Sequence, residues 1–265
     1  MAYNRRNVVR YAANDLDALE AGFGAKSRAF YGFQPFGYDI GSQQGIDNTS
    51  LINRAGTDWV ITEVGTSGAK AIQAATSALP AFARFTTGGT QHDNIQIQSG
   101  IPGTFGSTTV AGWAPFIAKA GYNIHFRARA QLTTTVANAA FFLGLAPVDT
   151  TILASSAIDN NSAIGFYKAA SAACVGLVRA GGTSTSTTLS GGFTPTISTW
   201  YDLEMLISGR DYIQFWVNGT CTGQTTMTNL PANTVTLALT AAISAGTAAA
   251  ATLELQQLVC FQEAF

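Results

Sequence analysis

From about residue 59 onward, apolar residues recur at every second position, the period of a strand with one buried face. Ile124, Phe126, Ala128 and Ala130 alternate with Asn123, His125, Arg127 and Arg129. Tyr201, Leu203, Met205 and Ile207 alternate with Asp202, Glu204 and Ser208. The turn Ser208-Gly209-Arg210-Asp211 follows, and Ile213, Phe215 and Val217 then alternate with Tyr212, Gln214 and Trp216, which predicts a hairpin. Asn218-Gly219 supplies the φ > 0 pair of a type I′ turn, so a third strand should fold straight back. Val235, Leu237, Leu239 and Ala241 predict another strand, Ile95 and Ile97 between Asn94, Gln96 and Gln98 a further one, and Phe141–Leu145 a buried one. Leu253, Leu255, Val259 and Phe261 predict a last strand with a bulge at Gln256-Gln257. Residues 69–79 pass for a helix on alanine content, but Thr76 and Ser77 interrupt them and the neighbouring segments are all strands. At least eight strands with almost no helix, over about 200 residues, predict one large antiparallel β-sandwich over 59–265.

Residues 1–58 read differently, as a mostly irregular arm. Aromatics and glycines alternate at Phe23-Gly24, Phe30-Tyr31-Gly32-Phe33 and Pro35-Phe36-Gly37-Tyr38, a glycine density that argues against regular structure. A short helical signal stands at Asn14, with Asp15, Asp17, Leu16 and Leu19 behind it. Phe30, Tyr31, Phe33, Phe36 and Tyr38 are too many rings for a solvated tail, so they should pack on the body of the chain or on another subunit. Five rings at 150–250 Å² each would remove on the order of 1,000 Å² from water, comparable to one side of a sizeable interface. Arg5, Arg6 and Arg10 precede them and are suited to carboxylates on a partner surface.

Only 11% of the 265 residues are charged and the net charge is −1, whereas Ser plus Thr number 50 and Ala 43. The surface must therefore be built from hydroxyls, amides and backbone. Such a balance excludes the basic face that nucleic-acid binding needs. No secretory signal is expected in the first twenty residues, and no apolar run approaches the roughly 18 residues of a membrane span. Cys174, Cys221 and Cys260 form an odd set without C-x-x-C spacing and read as small hydrophobes.

From Trp59 onward the chain resembles the concanavalin A-like (laminin-G-like) jelly rolls of structural proteins in tailed bacteriophages. The stretches that carry the resemblance are Thr87-Gly88-Gly89 with His92–Gln98, Phe126–Arg129, Phe141–Ala146, Ile164–Lys168, Trp200–Glu204 and Phe215–Gly219. The resemblance implies a virion protein on the capsid surface, a decoration or cement protein whose partner is the major capsid protein. By analogy with shell decorations at threefold positions it also implies a homotrimer. Residues 1–58 lie outside the resemblance. The runner-up is a tail-associated, lectin-like adhesin.

Because this fold hosts glycosidases and lectins as well, chemistry has to be argued from residues. Glutamate occurs only at positions 20, 63, 204, 254 and 263. The nearest carboxylate pair, Asp202 and Glu204, sits two apart on one strand, about 7 Å along it, against the 5–5.5 Å of a retaining glycosidase. A solvated strand face is the simpler reading. Asp159-Asn160-Asn161 falls short of a calcium loop's six to eight oxygens and reads as a turn. His92 and His125 are 33 apart with no Cys or second His near either, and no Ser-His-Asp set can be named. Of Trp113, Trp200 and Trp216, Trp216 is the best candidate for stacking on a sugar, with a second core layer as the alternative. No enzyme activity, cofactor or metal is expected.

Overall fold

The computed structural model describes residues 27–33, 59–66, 68–73, 82–99, 114–134 and 136–264. Two antiparallel sheets face each other. The second contains β2 (Trp59–Val64), β5 (Asn94–Ser99), β7 (Ala139–Ala146), β10 (Ala163–Lys168), β11 (Cys174–Ala180), β12 (Thr183–Thr188) and β16 (Ala238–Ala245). Its order is β12-β11-β10-β7-β16-β5-β2. The first contains β3 (Ala69–Gln73), β4 (Phe82–Thr86), β6 (Tyr122–Leu132), β13 (Tyr201–Ser208), β14 (Tyr212–Val217), β15 (Thr220–Thr225) and β17 (Thr252–Ala264). Its order is β15-β14-β13-β6-β17-β4-β3, and β1 (Ser27–Phe33) joins the far part of β17. From β4 to β7 the chain changes sheet at every strand, and it does so again around β16, the connectivity of a jelly roll. Among the described residues there is no α-helix, and none therefore that could cross a membrane.

The alternating residues face where the period places them. Ile124, Phe126, Ala128 and Ala130 of β6 and Leu203, Met205 and Ile207 of β13 join one core with Ile164 and Phe166 of β10 and Leu143 and Leu145 of β7. Across that core Phe166 meets Phe215 edge-on at 5.4 Å, and Phe126 lies 6.5 Å from Phe166. Asn218 and Gly219 take φ of 51° and 78°, and β15 returns directly beside β14. The predicted bulge appears as a register shift between Leu255 and Gln257.

Some expectations need correcting. Ser27–Phe33, expected to be irregular, is a strand whose Phe30, Tyr31 and Phe33 stand opposite Phe261, Cys260 and Leu258. An edge strand needs only one ladder, and the already ordered β17 supplies it. That offsets the roughly 0.5–1 kcal/mol that a strand glycine such as Gly32 costs. The strand expected from Val235 begins at Ala238, because the chain turns at Val235, whose N–H donates to Ala232 O, and Leu237 makes only a bridge to Phe116. The alanine-rich stretch, where the sequence argues against a helix, begins as a strand, Ala69–Gln73, β3.

The second sheet is covered on its outer side too. Phe142, Ala146, Ala163, Leu177 and Ala242 form a smaller core with Ile152 and Leu153. Those last two come from a flap that includes the hairpin β8 (Leu153–Ala154) and β9 (Ala157–Ile158). The flap is pinned by the polar side of β5. Asn94 donates to Leu153 O at 2.9 Å, Gln96 accepts from Ile152 N at 2.7 Å, and Gln98 accepts from Asp149 N at 3.0 Å. Each amide thus satisfies backbone groups that burial would otherwise leave unpaired.

A Cβ on Gly176 of β11 would stand 2.5 Å from the Phe215 ring, which is fully buried. Gly176→Ala should therefore destabilise the fold by about 1–3 kcal/mol, opposite in sign to the gain usual for Gly→Ala in a strand. Denaturant unfolding measures it, and unchanged stability would mean that the ring has room to move.

Candidate functional site

Two constellations bring chemistry-bearing side chains together. The larger is the outer face of the first sheet, where antiparallel register sets the polar residues of β6 beside those of β13 and β17. Asp202 accepts from Arg127 at 3.2 Å through Oδ1 and from Arg129 at 3.0 Å through Oδ2. Glu204 lies 4.0 Å from Arg127 Nε. Arg129 also donates to Gln256 Oε1 at 2.7 Å. Glu254, almost fully enclosed, receives Arg84 Nε at 2.7 Å and the amide of Gln131. At the far end His125 Nε2 lies 3.1 Å from Glu263 Oε1, and its ring stacks on Phe261 at 4.5 Å.

This is a ladder of mutual neutralisation. Arg127, Asp202 and Glu204 are about one-fifth exposed, so the face expected to be solvated is half-buried and held by its own counter-charges. Asp202 and Glu204 both lean on Arg127 and do not stand apart as an acid and a base. The arrangement can hold strands in register.

The smaller constellation lies where the start of β5 and the turn between β8 and β9 meet the end of β16, and no sequence motif announces it. His92 Nδ1 stands 3.2 Å from Ser156 Oγ, which is 3.2 Å from Ser244 Oγ and donates to Ala245 O at 3.1 Å. His92, Ser155 and Ser156 all have positive φ. A serine beside a histidine invites comparison with a nucleophile and its base. Here, however, the serine proton has a carbonyl to bond to, and the hydroxyl is buried. Next to it Asp93 gathers the hydroxyl and N–H of Thr66 and the N–H of Thr90, and the Thr66 hydroxyl bond above all holds its pKa below the ordinary value. These contacts knit three turns together. They join positions 64 apart in the chain, so only a periodicity-independent signal could have found them.

The other sequence candidates scatter. Trp216 is 3% exposed, set between Glu204 on β13 and Cys221 on β15, so the indole offers no open face for a sugar. Trp200 packs edge-on against Phe82, 5.7 Å away. Phe30, Tyr31 and Phe33 are on β1, with β17, β6 and β13 between them and the strand of Trp216. Arg5, Arg6, Arg10, Phe36, Tyr38, Trp113 and the helical signal at Asn14 lie outside the described residues. Asn160 of the suspected calcium loop donates to Pro147 O and to Asp149 Oδ2 and caps Ser162 N, as a turn-former does. Among the described residues no group of three or more His, Cys, Asp or Glu could hold a metal ion.

One buried cation remains. Lys168 is 1% exposed and donates to Ala139 O at 2.9 Å and Ala169 O at 3.1 Å. Burial holds its pKa below the ordinary lysine value, with its cross-strand neighbour Cys174 pulling the other way. Burial likewise pushes the Cys174 and Cys260 thiols up, so both stay protonated and unreactive.

No protein-family model matches the chain, and no curated protein sequence does either. Solved structures share its fold. A protein of unknown function from Shewanella oneidensis MR-1 superposes with a TM-score of 0.56 at 11% identity, over 100% of this chain and 95% of that one. A structure from work on endo-acting O-glycanases of the human gut microbiota, which initiate mucin breakdown, gives 0.52 at 8% identity, over 84% and 98%. The botulinum neurotoxin type C structure described with two ganglioside molecules gives 0.48 at 11%, over 82% and 46%.

Because a depressed lysine pKa means that the folded chain sheds this proton before the unfolded chain does, the cost of burying the charge is relieved as pH rises toward the ordinary value near about 10.4. Wild type should gain stability relative to Lys168→Met as pH rises from neutral toward about 10.4 in denaturant unfolding. A pH-independent difference would contradict the buried-cation account.

Proposed function

We propose that this chain is a non-catalytic structural module of a bacteriophage particle, a decoration protein that binds the major capsid protein of the head shell as a homo-oligomer and stabilises the shell. The observation that carries the non-catalytic part is the charge ladder, in which Asp202, Glu204 and Glu254 are each committed to an arginine. The virion part rests on the resemblance of residues 59–265. The jelly roll agrees with that resemblance but is also found in other settings. A low charged fraction suits a surface packed against neighbours, since it brings little mutual repulsion.

In this reading the arm is divided. Ser27–Phe33 completes the first sheet, so the residues left for attachment are those before it, with Arg5, Arg6 and Arg10, and those after it, with Phe36 and Tyr38. Removing residues 1–26 should leave a folded sandwich that saturates bare shells at least about tenfold less tightly than the full chain in a co-sedimentation titration. Equal binding by the two would move attachment to the sandwich itself. A full chain that binds no shell would overturn the reading.

A second reading, glycan contact by a tail-associated adhesin, is favoured by one observation: the O-glycanase structure shares this fold. Binding on a glycan array, together with labelling confined to particle tails, would establish it in place of the shell reading.

A further inference from the structure

We infer that β12 is a self-association edge, along which a second copy of this chain adds its own β12 antiparallel about a two-fold axis. An edge strand points the N–H and C=O of alternate residues away from its sheet, about three of each for six residues, and proteins guard such edges with charges, prolines or bulges. Five strands end the two large sheets among the described residues. β15 is bulged where its pairing shifts between Phe215 and Trp216. β3 carries Lys70, β2 carries Glu63, and β1 carries Arg28 and a register shift beside it. β12 has none of these. Its sequence is Thr-Ser-Thr-Ser-Thr-Thr, it pairs with β11 through six consecutive residues without a shift, and Thr183, Ser184, Ser186 and Thr188 are exposed.

The inner side of β12 is already occupied: Thr185 Oγ1 accepts from Asn229 at 2.9 Å, and Thr187 packs near Gly223 of β15. That fixes the strand and leaves, among the described residues, the outward backbone groups as its unused capacity. A second copy fits this edge for three reasons. The strand is uncharged, and a chain with net charge −1 brings little repulsion of its own. Antiparallel self-pairing centred on Ser186 sets Ser184 opposite Thr188 and Thr185 opposite Thr187, each pair on one face and all hydroxyl-bearing, a favourable cross-strand match. The nearest cation, Arg179, which donates to Ser184 Oγ at 2.8 Å, then falls at opposite ends of the seam in the two copies, roughly 14 Å apart along it. Two seven-stranded sheets would become one continuous sheet. Such a contact is two-fold, not the trimer expected by analogy, because a closed ring of three must join two different edges. The pairing concerns the free chain and stands whether or not the shell reading does.

Two six-residue strands make a small interface, so association belongs in the micromolar range. Sedimentation equilibrium of the full chain between about 10 and 500 µM should show a species of twice 27.7 kDa. Ser186→Lys should raise its dissociation constant at least about tenfold with an unchanged far-ultraviolet spectrum. Amide exchange of Thr183–Thr188 in the wild type should slow as concentration rises, which gives a reading even if the variant folds poorly. A monomer throughout, a trimer, or a dimer indifferent to Ser186→Lys with unprotected β12 amides would each overturn the inference.

Discussion

The pairing of β17 with β6 is the contact on which the first sheet depends. Eleven positions of β17 are matched to β6, from Leu253 opposite Leu132 to Ala264 opposite Tyr122. On its other side β17 is shared, with β4 taking Thr252–Leu255 and β1 taking residues beyond the bulge. The bulge between Leu255 and Gln257 lets one long strand serve both neighbours, since an extra residue bends and twists the strand locally. The same pairing brings Glu254 beside Gln131 and Glu263 beside His125, so the two ends of the charge ladder are set by backbone register.

What could be read from the sequence follows from that logic. Where one face of a strand is core and the other is open or only half covered, as in β6 and β13, the period of two shows directly, and Asn218-Gly219 marks a turn by its own conformational preference. The reading weakened where both faces are covered. Asn94, Gln96 and Gln98 look like a solvent-facing row, yet they are buried because the flap's backbone satisfies their amides. Trp216 looked available for the same reason and is enclosed. β1 was hidden by its glycine, because local propensity cannot register that a neighbouring strand supplies the ladder. The contact of His92 with Ser156 is tertiary, and nothing local foretells it.

In the proposed reading, a sandwich whose sheet-face arginines and carboxylates pair with one another, whose second sheet is roofed by its own flap and whose surface is rich in hydroxyls serves as a packing unit. Very few large apolar side chains are exposed among the described residues: Val64, Val148 and Ile197. Contacts made by the sandwich itself, beside those proposed for the arm, would then run through backbone edges and small polar side chains, and many weak copies of one contact suit a repetitive surface.

The most direct measurement of the central claim is quantitative mass spectrometry of purified particles, with this chain counted against the major capsid protein. The shell reading predicts copies in constant ratio to the capsid protein, in the hundreds per particle. A dozen copies or fewer, or none, would contradict it.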